Sequence, residues 1–262
     1  MLVFSAITPH PPILIPNIGK ENLSQIKKTV EAMKILEQEL YAAKPDVIFI
    51  ISPHGQLIAD AFSINLSPIY KLDFEEFGDF ETKKDFKSSI MLVENIKVAA
   101  ENNLPLILAS EEKIDHGAGV PLFYLTQHLP NIAIIPACYS FLDYESHLKF
   151  GDILKNEIFN SNKRIAVVAS GDLSHRLTKE APAGYSPKGK IFDQKLIELL
   201  QKKDVKGILG LDPKLIEEAG ECGLRSILIL LGIIQRMDYE FEVLSYEGPF
   251  GVGYLVGNFK IK

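Results

Sequence analysis

The chain alternates short, continuously apolar runs with segments whose apolar residues recur every three or four positions, and this alternation restricts the fold more than any other feature. Leu2 to Ile7 is the first run, read as a buried strand; it stops at Thr8-Pro9-His10-Pro11-Pro12, where prolines cannot extend a ladder. From Glu21 to Ala43 the spacing of Leu23, Ile26, Val30, Met33, Leu36 and Leu40 predicts an amphipathic helix that Pro45 ends. Val47 to Ile51 is too uniformly apolar for a surface strand and runs directly into Ser52-Pro53-His54-Gly55. Segment 61–80 alternates Phe62, Ile64 and Leu66 and then turns acidic and aromatic, which predicts an outer strand or hairpin with a loop. A helix over 83–102 and a third buried strand, Leu104 to Leu108, lead to the glycine-rich loop Asp115-His116-Gly117-Ala118-Gly119. Ile132 to Ala137, a helix from Ser146 to Phe159, and Arg164 to Ala169 repeat the pattern, the last run opening into Ser170-Gly171-Asp172-Leu173-Ser174-His175. Helices near 190–202, 204–210, 213–219 and 222–237, then strands near 240–246 and 251–259, complete the expectation. Together these predict one α/β domain over residues 1–262, layered α/β/α around a central, largely parallel or mixed sheet. In such folds ligands gather beyond the carboxyl ends of the strands.

Charge narrows the ligand. Lys and Arg number 28 against 34 Asp and Glu, a net of −6, with no basic block, so neither nucleic acid nor an anionic membrane is the expected partner. No apolar run approaches the ~20 residues that cross a bilayer, and the opening residues lack a basic signal region, so a cytoplasmic protein is expected. Its two cysteines, Cys138 and Cys222, form no disulfide framework, which fits a reducing compartment.

Histidine placement carries the chemistry. Of six histidines, His10, His54, His116 and His175 each follow the exit of a predicted buried strand, where separate segments can converge. Any one of them alone reads as a hydrogen-bonded loop residue; four in equivalent places read as imidazoles presented on rigid supports, as a metal site requires. His128 and His147 fall in or beside amphipathic helices and are set aside. Gly248, Gly251 and Gly253 precede no helix and so are no phosphate fingerprint, and Ser174 lacks the strand-turn-helix context of a hydrolase nucleophile.

These motifs, together with Val120-Pro121-Leu122, Glu221-Cys222-Gly223 and Ser245-Tyr246-Glu247-Gly248-Pro249-Phe250-Gly251-Val252-Gly253-Tyr254, resemble in order the class III extradiol ring-cleavage dioxygenases, the LigB-type superfamily. Within it the chain is similar to the dioxygenase-like module of the AmmeMemoRadiSam system and to the Memo proteins. The resemblance implies His10 and His54 as metal ligands, with Glu221 as the third; Glu217, Glu218 and Glu247 are competing carboxylates, and Cys222 is the alternative donor that the Memo likeness brings. It further implies His175 as the proton-handling catalytic residue, oriented by Asp172, with His116 beside bound oxygen or substrate. Fe(II) is the implied metal for an oxygenase, with a small aromatic diol and dioxygen as substrates; a cysteine ligand would suit zinc or copper better. Three functions follow as expectations: extradiol cleavage, a Memo-like metal-binding module that opens no ring and acts with protein partners or a radical-enzyme system, or a metal-dependent hydrolase; a protein partner or a homo-oligomer is the expected assembly.

Overall fold

A computed structural model describes residues 1–262. Strand β1 (Leu2–Thr8) is followed by the single turn α1 (Pro16–Gly19), helix α2 (Lys27–Ala43) and strand β2 (Val47–Ser52). Strands β3 (Phe62–Asn65), β4 (Ile69–Phe74) and β5 (Asp79–Ser88) precede α3 (Ile90–Ala100), β6 (Leu106–Ala109) and α4 (His116–Leu125). Then come β7 (Ala133–Cys138), α5 (Tyr144–Asn160), β8 (Ile165–Ser170), α6 (Pro187–Gln201), α7 (Val205–Leu209), α8 (Pro213–Ala219), α9 (Leu224–Ile234), β9 (Tyr239–Glu247) and β10 (Tyr254–Ile261).

One ten-stranded mixed sheet joins both ends of the chain, in the order β4-β5-β7-β2-β8-β1-β10-β9, with β3 branching off β7 and β6 pairing with β3. Its centre is parallel: β7, β2, β8 and β1 run the same way, while β10 pairs antiparallel with β1 and β9 antiparallel with β10. Layering follows from the period of two along each strand. Val47, Phe49 and Ile51 face one hydrophobic cluster with α3, α5, α6, α8 and α9, whereas Ile48 and Ile50 face the other with α2 and α4. Covered on both sides, the central strands read as continuous apolar runs, which is why they were legible. Helix α9 is buried along almost its whole length. It crosses α5 closely because Gly151 and Gly232 face each other: a Cβ on Gly232 would lie 2.3 Å from the Leu148 carbonyl oxygen.

The sheet register sets up the site. Thr8 lies opposite Ser170, and Ser52 opposite Cys138, so the parallel strands end in one row. Two residues beyond those ends come His10, Asp172 and His54, a common offset that brings them together from distant parts of the sequence.

Several expectations are corrected. Residues 83–88 belong to β5, and the helix expected over 83–102 begins at Ile90. The charged Lys83, Lys84 and Asp85 alternate across a hairpin with β4. The run Leu104 to Leu108 is an edge strand, half exposed, paired only with β3. The glycine-rich stretch at His116 is no loop: Asp115 caps α4 by accepting a hydrogen bond from the Ala118 N–H (3.1 Å), and small residues let the helix pack against the sheet. Residues 20–26 form a 3-10 turn before α2.

Candidate metal centre

His10 lies beyond β1, held both at its backbone and at its ring. Its backbone N–H donates to Asp172 Oδ1 (3.0 Å), and its Nδ1 lies 3.0 Å from Ser170 Oγ. The Ser170 hydroxyl donates to the Gly117 carbonyl (2.5 Å), so its oxygen accepts from His10 Nδ1–H. That assigns the proton to Nδ1 and leaves a lone pair on Nε2. His54 Nε2 is 3.0 Å from that atom, and Cys222 Sγ is 3.7 Å from it. The three donor atoms all lie within 4.8 Å of one another. A tetrahedral zinc ion with ordinary Zn–N and Zn–S bonds separates two nitrogens by about 3.3 Å and nitrogen from sulfur by about 3.6 Å. The donor set therefore suits a metal ion in chemistry, and the two distances measured from His10 Nε2 match that spacing.

Cys222 is placed by backbone contact. Gly171 and Gly223 touch so closely that a Cβ on Gly171 would lie 2.1 Å from Gly223 Cα. Across that contact the Cys222 N–H donates to the Asp172 carbonyl, and the Asp172 N–H donates to Cys222 Sγ (3.2 Å). Glu221 does something else: its carboxylate accepts from the Leu224 N–H (2.6 Å) at the start of α9. Glu217 and Glu218 lie on α8, with Glu218 accepting from Ser186 Oγ, and Glu247 accepts from Thr29. None of these four carboxylates is in the donor cluster.

The remaining expected residues surround it. Asp172 Oδ2 lies 3.9 Å from His10 Nε2 and 4.0 Å from His175 Nε2. His175 Nδ1 donates to the Gly220 carbonyl (2.8 Å), which turns its Nε2 toward Asp172. The His116 ring stacks on His54 with centroids 4.2 Å apart, and Phe77 packs edge-on against it. His128 pairs with Glu37, and His147 is buried between the Asp143 and Ser140 carbonyls, both away from the cluster.

Burial sets the protonation states. It pushes His10 well below its ordinary value, with neighbouring imidazoles adding to the effect, and it brings His54 down to about 4. It also lowers His116 and His175, so the imidazoles are neutral near pH 7, as ligands must be. Burial raises Asp172 and Glu221 to about 7 and Cys222 well above its usual range. A cation among these groups would reverse that balance, drawing the proton from the thiol.

A polar cavity of about 450 Å³ opens on the edge of His54 and His116, lined also by Glu76, Glu111, Lys113 and Asp115, with Ile114 its one apolar residue. A second cavity, about 490 Å³, lies between α2 and the end of α4 and is lined by none of the ligand candidates.

Two supporting residues escaped the sequence reading, Ser52 and Ser170. Ser52 donates to Asp115 Oδ1 (2.5 Å) and accepts from the His54 N–H (3.2 Å), tying the His54 loop to α4. The available signal was a serine closing each of two fully apolar strands, VIFIIS and IAVVAS.

Comparison with known proteins agrees with this architecture. Residues 5–257 match the family described as the catalytic LigB subunit of aromatic ring-opening dioxygenase. Protein CA_C1420 of Clostridium acetobutylicum is 30% identical over 95% of this chain, which spans only 55% of that protein's length. A MEMO1 family protein of Methanosarcina mazei is 24% identical over 83% of this chain and 82% of its own. The 3,4-dihydroxyphenylacetate 2,3-dioxygenase of Escherichia coli is 24% identical over 58% of this chain and 56% of its own. Among solved structures, the uncharacterized protein JW3007 of Escherichia coli K12 superposes with a TM-score of 0.65 at 14% identity, covering 98% of this chain and 99% of that one, a likeness of fold.

Proposed function

The chain belongs to the LigB family, and from that premise we propose that it is a metal-binding protein of the Memo kind, in which His10, His54 and Cys222 hold the ion and no aromatic ring is opened. The observation that carries this reading is the third donor: Cys222 Sγ joins the two imidazoles while the Glu221 carboxylate is engaged by the Leu224 N–H. A thiolate beside two imidazoles suits copper(I) or zinc better than the hard oxygen donors of an oxygenase would. The bound metal would supply a Lewis-acidic or redox-active cation. The chain's own residues then have defined tasks: Ser170 orients the His10 ring, Asp172 holds or releases a proton between His10 and His175, and His116 lines the entrance. The polar lining of that entrance favours a polar ligand or a segment of a protein partner over an aromatic one, since small-molecule pockets are mostly apolar.

A second reading, extradiol cleavage with Fe(II), is favoured by the position of His175 and His116 around the same cluster and by the name of the Escherichia coli relative. It would require Glu221 to leave Leu224 and turn inward as third ligand. His175 would take the proton of a catechol hydroxyl, and dioxygen would be the second substrate.

Loading the apoprotein with Co(II) tests the choice, because a thiolate ligand adds a charge-transfer band in the near ultraviolet. The band is expected in the parent and in Glu221→Gln, and lost in Cys222→Ser. A yellow ring-fission product from Fe(II)-loaded protein with a catechol and oxygen, abolished by Glu221→Gln, would overturn the Memo-type assignment.

A further inference from the structure

Pro121 sits inside helix α4, where its ring nitrogen carries no hydrogen. In a regular helix the N–H of residue 121 would bond the carbonyl of residue 117, four positions back. Gly117 therefore has a carbonyl free of its usual helical partner, and that oxygen accepts the hydroxyl of Ser170 at 2.5 Å, across 53 residues of sequence. With its hydrogen committed there, Ser170 Oγ can only accept from His10, whose Nδ1 lies 3.0 Å away. The group is fully enclosed: Ser170, Gly117 and Pro121 are all buried, so no water competes for these bonds.

We propose that Pro121 is a positioning residue for the metal centre, acting through the Gly117 carbonyl and the Ser170 hydroxyl to keep the His10 proton on Nδ1 and its Nε2 lone pair toward His54 and Cys222. This rests on the reading of His10 as a ligand. A hydroxyl beside an imidazole does not by itself choose a tautomer, because it can donate or accept. With the helical N–H removed, the Ser170 hydroxyl has the Gly117 carbonyl to itself, and this favours one direction for the whole chain of bonds. The neighbouring helix positions support this use of the proline: Gly117 has no side chain to occupy the space, and a Cβ there would lie 2.4 Å from Ser52 Oγ. The helix thus presents a bare carbonyl to β8.

The substitution Pro121→Ala restores an N–H that competes for the Gly117 carbonyl. Sharing that oxygen weakens the Ser170 bond to it, so the hydroxyl donates more readily to His10 Nδ1 and the tautomer shifts toward Nε2–H, on the atom that must ligate. The expected result has an unusual pair of signs. Thermal stability stays the same or rises, because the helix regains a bond, while zinc affinity falls by roughly 10–100-fold, the usual cost of losing a supporting hydrogen bond behind a ligand. Ser170→Ala should lower affinity by a similar factor without the gain in stability.

The decisive readout is the His10 tautomer in the apoprotein, observed by nitrogen-15 NMR of the imidazole and assigned with a His10→Gln control. The parent should show Nδ1–H, and Pro121→Ala a shift toward Nε2–H. A zinc titration of the parent is run separately. If the parent binds no zinc yet the tautomer shifts as expected, the relay stands and the metal assignment falls. If Pro121→Ala is folded and leaves the tautomer unchanged, the relay is refuted, whatever the affinity does. Should Pro121→Ala fold poorly, Pro121→Gly supplies the same N–H with no added side chain and is held to the same outcomes.

Discussion

The contact between Gly171 and Gly223 turns a packing detail into a functional prediction. A methyl on Gly171 would sit 2.1 Å from Gly223 Cα and 3.0 Å from its nitrogen, both backbone atoms that cannot rotate aside. Neither glycine has a positive φ, so Gly171→Ala brings no conformational strain of its own and the overlap alone decides. Ordinary van der Waals contact begins at 3.4 Å, so the 221–223 segment must withdraw by about 1.3 Å. Gly171 is the less mobile partner, being bonded through its N–H to the Thr8 carbonyl at the end of β1.

Cys222 moves with that segment. Metal–ligand bonds tolerate displacements of about 0.2 Å, so a retreat several times larger removes the sulfur from the proposed coordination set although every proposed ligand is still encoded. Gly171→Ala should therefore lower zinc affinity at least as far as a lost supporting bond does, by more than about 100-fold. Its cost in stability should be about 1–3 kcal/mol, the range for overpacking. Competition with a chromophoric chelator reads the first quantity and urea denaturation the second. Cys222→Ala is the control, removing the sulfur while leaving the glycine contact alone. Affinity within about threefold of the parent in a folded Gly171→Ala protein would show that Cys222 is not held by this contact or is not a ligand.

Two further outcomes follow from buried groups away from the cluster. Gly151→Ala and Gly232→Ala should each destabilise by roughly 1–3 kcal/mol, because each Cβ meets a backbone carbonyl across the α5–α9 crossing, and the pair should be less than additive in urea denaturation since one separation relieves both; full additivity would refute a shared contact. Asp193, buried with its carboxylate accepting from Ser174 N–H and Tyr246 O–H, is pushed by burial from 3.8 up to about 6, so the folded protein keeps a proton that the unfolded chain releases near pH 4. This group is neutral to stability below about pH 4, destabilises increasingly between about 4 and 6, and reaches roughly 3 kcal/mol above that. Asp193→Asn should lack that slope, and a stability profile between pH 4 and 7 that is parallel in the two proteins would contradict the assignment.

The fold was legible where burial made composition uniform. Strands covered on both faces admit almost nothing but branched apolar residues, so Val47 to Ile51 and Ile165 to Ala169 declare themselves, as does α9. Half-exposed elements do not. The β4–β5 hairpin is charged on its outer face, and the β5 residues Lys83 to Phe86 satisfy a helical pattern as well as a strand pattern. Local spacing is ambiguous there, and the decision comes from pairing with β4, a contact no local window contains. The α4 start was hidden for the opposite reason: its glycines read as a loop, whereas the structure uses them to bring backbone against Ser52, Leu72 and Phe74.

The third donor shows where sequence reasoning reaches its limit. Glu221 and Cys222 are adjacent, both precede α9, and residue spacing treats them alike. What separates them is the unsatisfied N–H groups of a helix start, which attract an anion, and the neighbouring Gly171–Gly223 contact, which fixes the backbone direction. An acid three residues ahead of Leu224 is used by the helix itself; the next side chain must then point the other way, across the glycine contact and toward His10. On the proposed reading, helix capping and metal ligation compete for the same few atoms, and they are divided by giving the carboxylate to the helix and the sulfur to the cluster.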